Sequence, residues 1–234
     1  MSEVAEKPVV VEKEPLLTKK HKKLLTDPLD ENNPITVQVL GICSALAVTS
    51  QLYPSLIMAI CVIFVVSLAN LSISLMRKIM PGRIRMIVQL LVIAALVTVV
   101  DIGLKAFAFD VSKQLSVFIG LIITNCIVMG RLEAFAMGNK PWSSFLDGIG
   151  NGIGYGVILI IVGALRELFG AGTLMTGTPL ELKLLTADSA LGGFLGNIGY
   201  QHNGVMATPA AAMFIIGILI WIQRSRKPSL VDIS

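Results

Sequence analysis

The sequence predicts an all-α integral membrane protein with six transmembrane helices, arranged as a 3+3 inverted-topology repeat. Three observations lead there. Apolar residues make up 54% of the 234 residues and charged ones only 15%, against about 45–50% and about 25% in soluble domains. Charges are nearly absent from several stretches of 15 to 23 residues, and a helix needs about 20 apolar residues to cross a hydrocarbon core. The first and fourth stretches are the shortest, and two longer ones follow each. Short or broken segments at matching positions of two halves point to a site near the midplane.

The first segment runs from Ile35 to Thr49 behind Asn32-Asn33-Pro34, where asparagine can cap a helix and proline fits its first turn. The second spans Pro54–Met76 and the third Ile84–Val100, with Asp101 and Lys105 near its end. The fourth is Leu115–Gly130, the fifth Gly148–Leu165 behind Asp147, and the sixth Val205–Gln223 before Arg224, Arg226 and Lys227. Residues 1–33 hold six Lys and seven Asp or Glu without an apolar core, so they read as a solvated tail rather than a signal peptide. The expected organisation is a tail over 1–33, a first three-helix repeat over 34–113, a second over 114–227 and a tail over 228–234.

Six crossings put both termini on one side. That side collects fifteen Lys and Arg; the other has Lys105, Lys113, Arg166 and Lys183. The positive-inside rule therefore places both termini in the cytoplasm. The same distribution explains a pI near 9.0 without nucleic acid, for which no binding module is evident.

Both short segments contain a cysteine, in VQVLGICSALAVTS and in FIGLIITNCIVMGR. Cys43 and Cys126 each lie past the middle of their segment, beside Gly41 and Ser44 in one and Thr124 and Asn125 in the other. A helix broken there would bring backbone close to a bound group, since irregular backbone is tolerated in a membrane where protein buries it. The two cysteines look like one functional position written twice. Cys61 has no counterpart in the second half and reads as a packing residue. Thiolates suit iron–sulfur clusters, zinc or cuprous copper, and a cluster typically needs four of them. Two in register require a partner protein to supply two more. A disulfide is the other option, though uncommon away from oxidising compartments.

Acidic residues in or beside membrane segments are functional candidates. Asp101, Glu133 and Asp147 are candidate stations for a hard cation, since such ions favour oxygen ligands. Two plainer readings stay open: Asp147 complements the positive N-terminal end of its helix, and Asp101 is an interface residue. Gly148, Gly152 and Gly156, spaced by four in GIGNGIGYG, form a smooth face for close helix packing, within the chain or against a partner. They do not make a dinucleotide fingerprint, which needs a different spacing and a preceding strand. Arg77, Lys78, Arg83 and Arg85 suit orientation and contact with anionic lipid. Trp142 and Trp221 suit interfacial anchoring. No NAD, flavin or quinone motif stands out, so the chain alone is expected to catalyse nothing.

The words NNPITVQVLGICSALAVTS, SKQLSVFIGLIITNCIVMGRLEAFAM, SFLDGIGNGIGYG and GALRELFG resemble the D subunits of bacterial sodium-translocating NADH:quinone oxidoreductases. The resemblance covers about Asn32–Gly172 and resumes near Gly204; it leaves the N-tail and Thr173–Asn203 uncovered. The E subunits of the related ferredoxin:NAD oxidoreductase (Rnf) complex are the alternative. They tend to have Pro-Leu-Leu after the first cysteine, where this chain has Ser44-Ala45-Leu46.

The resemblance implies a multi-pass subunit of the bacterial inner membrane, paired with a homologous E subunit. Cys43 and Cys126 would hold half of a shared 2Fe–2S cluster. Further partners would be the A, B, C and F subunits, with NAD, FAD, FMN and riboflavin bound elsewhere in the complex. Electron flow to quinone would be coupled to Na+ export, with Asp101, Glu133 and Asp147 as candidate stations on the Na+ pathway. The rival classes are a small inverted-repeat transporter and a purely structural anchor.

Overall fold

The computed structural model describes residues 19–30, 32–107, 118, 120–171, 173–174, 182–183 and 204–226. Seven α-helices are found among them: α1 (Lys19–Asp30), α2 (Ile42–Val48), α3 (Leu52–Met76), α4 (Arg85–Phe107), α5 (Cys126–Arg131), α6 (Pro141–Ala171) and α7 (Pro209–Arg226). One π-helical turn, Leu132–Ala136, continues α5. A 3-10 turn, Gly204–Ala207, precedes α7. The antiparallel strands Thr173–Leu174 and Leu182–Lys183 pair with each other. Lys113, Leu115, most of the 173–203 stretch and the boundaries expected at 113/114 and 227/228 lie outside the described residues.

The protein is an all-helical membrane protein, and three helices are long and apolar enough to cross: Leu52–Met76, Arg85–Ala106 and Pro141–Gly170. The remaining segments are shorter or interrupted. In the first, the expected helix from Pro34 does not form. Asn33 is buried, and its Oδ1 instead accepts from the Ile35 and Thr36 amides at 3.0 and 3.3 Å, making a turn. Val39 (φ 58°) and Gly41 (φ 76°) then take left-handed backbone, so helix begins only at Ile42. In the fourth, residues 120–123 are helical, Thr124 and Asn125 break the run, and α5 restarts at Cys126.

Two further expectations need correction. The fifth segment opens at Pro141, six residues before Asp147, because proline suits a helix's first turn. And residues 1–33 are not wholly a solvated tail. Within them α1 lies along α6, with Leu24 and Pro28 against Gly150 and Gly154. The missing side chains of those two glycines admit the α1 backbone.

The most extensive helix pair is α3 with α6. A Cβ added at Gly148, Gly152 or Gly156 would stand 2.7, 2.8 or 3.0 Å from Ser67 Cα, Ile63 Cα or Ala59 Cβ. Both series step by four residues in opposite directions, so the helices are antiparallel and their smooth faces meet. The glycine face expected for close packing is therefore filled from within the chain. Further along, Gly163 meets Ser55. Small residues at such a seam let backbones approach where apolar burial gives no advantage over lipid.

Candidate site at two helix breaks

Three levels along α6 locate the two breaks. Near its start, Asp147 pairs with Arg131, the last residue of α5, through Nε at 3.0 Å and through Nη2. At its middle, Tyr155 touches both breaks. Near its end, Arg166 donates to Thr49 Oγ1 at 2.7 Å and to the Leu46 carbonyl at 3.3 Å, at the end of α2. So α2 and α5 both begin beside Tyr155 and run toward opposite ends of α6. Two half-helices thus present their N-termini, the positive ends of their dipoles, at one level.

Ser44 and Asn125 join the breaks. Ser44 Oγ donates to the Gly41 carbonyl at 2.9 Å, which leaves its lone pairs for the Tyr155 hydroxyl at 2.6 Å and Asn125 Nδ2 at 3.2 Å. Asn125 Oδ1 accepts from the Ile127 amide at 3.3 Å and caps α5. Its Nδ2 also lies 3.4 Å from the Tyr155 hydroxyl. Ser44, Asn125 and Tyr155 are buried, as they must be if every polar group is to be satisfied internally. Gly41 packs under the Tyr155 ring, where a Cβ would come within 2.9 Å of Cε2.

The cysteines flank this link. Cys43 precedes Ser44 and Cys126 follows Asn125; both are exposed, whereas Cys61 is buried within α3. Among the described residues no group of three or more His, Cys, Asp or Glu is placed to hold a metal ion. The thiol donors fit a soft metal centre only as half of a ligand set. A metal centre at these thiols would need its remaining donors from outside the described residues.

The acidic candidates lie apart from the breaks. Asp147, buried, is held by Arg131 and also accepts from Asn151 Nδ2 at 3.1 Å. Glu133 sits on the π-helical turn and pairs with Arg85 of α4, while Gln89 donates to it at 3.1 Å. Asp101 pairs with Lys105 one turn on, at 2.6 Å. Each carboxylate has a cationic partner.

The sequence of this chain is matched over residues 21–220 by the family described as "Rnf-Nqr subunit, membrane protein". The chain belongs to this Rnf-Nqr membrane family. Among its relatives, the D subunit of the Na(+)-translocating NADH-quinone reductase of Psychromonas ingrahamii is 54% identical over 90% of this chain and 95% of its own length. The D subunit of the same reductase from Proteus mirabilis is 54% identical over 92% of this chain and 98% of its own length. That of Shewanella sp. (strain W3-18-1) is 54% identical over 92% and 97%.

Residues that sequence reasoning passed over complete the contacts around these two breaks. Tyr155 was hidden in a glycine-rich word, although a tyrosine mid-segment needs a partner for its hydroxyl. Arg166 and Glu167 were visible as charges closing an apolar run. Both are buried: Arg166 also donates to the Met206 and Thr208 carbonyls at 3.1 and 3.0 Å. Glu167 Oε2 accepts from the Leu52 amide at 2.6 Å at the start of α3. A carboxylate there satisfies an otherwise unpaired helix-terminal donor and complements the dipole.

Proposed function

We propose that this chain, as the D-type member of a Na+-translocating NADH-quinone reductase, presents Cys43 and Cys126 as half of an intramembrane iron–sulfur site, a 2Fe–2S cluster completed by a homologous E-type partner. One observation carries the reading. The residues next to the two thiols are hydrogen-bonded to each other, Ser44 to Asn125 at 3.2 Å, while both cysteines stay exposed. A cluster held there supplies one-electron transfer in a setting where thiolates from two proteins meet.

The chain's own contribution is placement. The breaks set one cysteine at the first turn of each of two half-helices, and their dipoles favour negative charge at that level. NAD, FAD, FMN, riboflavin and quinone are assigned to other members of the complex, the A, B, C and F subunits among them. In this reading the chain is one link in electron flow from NADH to quinone, coupled to Na+ export.

The six-crossing fold belongs to the same proposal. The interrupted Ile35–Thr49 segment, which ends in α2, makes the first crossing. The helical 120–123 run with α5 makes its inverted counterpart. Both termini then face the cytoplasm of a bacterial inner membrane. Asp101, Glu133 and Asp147 stay proposed Na+ contacts, where the ion competes with Lys105, Arg85 and Arg131.

Iron analysis of the purified complex tests the cluster. Cys43→Ala and Cys126→Ala are expected to lose iron and its visible absorption, and Cys61→Ala to keep both. Full iron in the first two variants would refute the assignment.

A further inference from the structure

We infer that Tyr155 is a positioning residue for the two thiols, acting through Ser44 and Asn125; this rests on the cluster reading above. The argument is geometric. Tyr155 stands on α6, a continuous helix, whereas each cysteine stands on a short helix behind a break. A seven-residue helix, and a six-residue one extended by a single π-helical turn, have little hydrogen bonding of their own to fix their orientation. The first turn of each must be held from outside.

The Tyr155 hydroxyl does this for both at once. It lies 2.6 Å from Ser44 Oγ and 3.4 Å from Asn125 Nδ2. Because Ser44 Oγ donates to the Gly41 carbonyl, the tyrosine is the donor in the 2.6 Å bond. Its ring sets the height of the first break by packing on Gly41. Ser44 and Asn125 are covalent neighbours of Cys43 and Cys126, so a change at Tyr155 reaches both cysteines through one peptide unit each. Groups that orient metal ligands in this manner typically alter affinity about 10–100-fold when removed.

Tyr155→Phe keeps the ring on Gly41 and deletes the hydroxyl. In the intact purified complex it should assemble with normal subunit ratios yet lose iron to a chelator about tenfold faster. The reduced iron centre should also show an altered electron paramagnetic resonance spectrum, which a general loss of packing leaves alone. Amide hydrogen exchange over residues 42–46 and 126–129 should accelerate. Ser44→Ala removes the same bond from the other side and should change the spectrum in the same direction. A wild-type spectrum and chelator rate in Tyr155→Phe overturn the inference. If that variant fails to assemble, wild-type values in Ser44→Ala overturn it. Iron retained in Cys43→Ala and Cys126→Ala would instead remove the cluster reading. Amide exchange in Tyr155→Phe then still decides whether this hydroxyl holds the two half-helices.

Discussion

Arg131 and Asp147 form a two-point ion pair that fastens the end of α5 to α6, with the aspartate side chain 2% and the arginine side chain 12% exposed. Asn151 adds a third bond to the same carboxylate. Removing one partner of a buried pair strands the other charge, at a cost of about 3–5 kcal/mol. Asp147→Asn is therefore expected to lower the thermal stability of the purified complex sharply. The double variant Arg131→Gln/Asp147→Asn should be more stable than Asp147→Asn alone. Thermal scans of both decide it; an Asp147→Asn protein as stable as wild type would show that the pair does not hold α5.

The glycine seam makes a prediction with an internal control. At Gly148 and Gly152 a Cβ would meet the α3 backbone at 2.7 and 2.8 Å, and backbone cannot yield as a side-chain tip can. Alanine at either position should destabilise by about 1–3 kcal/mol. Gly217, on α7, has nothing within 4 Å of an added Cβ. Alanine there should be neutral or stabilising by up to about 1 kcal/mol, because glycine is the poorer helix former. Equal effects at the two kinds of site, measured by thermal inactivation, would contradict the packing.

The first break offers a matched pair of substitutions. Gly41 has φ 76° and no room for a Cβ, so Gly41→Ala adds left-handed strain of about 1–2 kcal/mol to a clash with the Tyr155 ring. Iron content should fall with stability. Val39 is also left-handed, at φ 58°, but exposed. Val39→Gly should relieve its strain and raise stability by up to about 1 kcal/mol, near the opposing entropic cost of glycine. Opposite signs for the two variants are the diagnostic result.

Arg166 ties the end of α6 to the end of α2 and to the approach to α7 through four acceptors. Its planar fork reaches several directions at once, which a lysine ammonium on a flexible stem cannot reproduce. Arg166→Lys should therefore behave like Arg166→Met, each losing at least about 2 kcal/mol. Protease resistance near Met206 and Thr208 is the measurement. Full rescue by lysine would mean that charge alone matters there.

Much of the candidate site was legible because its signals are local. Short apolar runs, a glycine before a cysteine in one and an asparagine before it in the other are properties of neighbouring residues. So is the low density of charge that marks a membrane protein. The partners were not legible in the same way. Asp147 looked like the opening of a helix because an apolar run hides where proline starts one; its ion pair depends on Arg131, sixteen residues earlier, folding back against it. Gly148, Gly152 and Gly156 announced a smooth face without saying which helix covers it.

By itself the sequence determined the membrane class, the interruption of the first and fourth segments and the matching placement of Cys43 and Cys126. Hydropathy and backbone preference act over a few residues, and need no knowledge of neighbours in space. Only the tertiary structure decided that both breaks meet at Tyr155, 111 residues from Ser44 and 30 from Asn125 along the chain. Such contacts arise from which faces of α3 and α6 interlock, and that choice is made by packing between distant segments, where no local pattern records it.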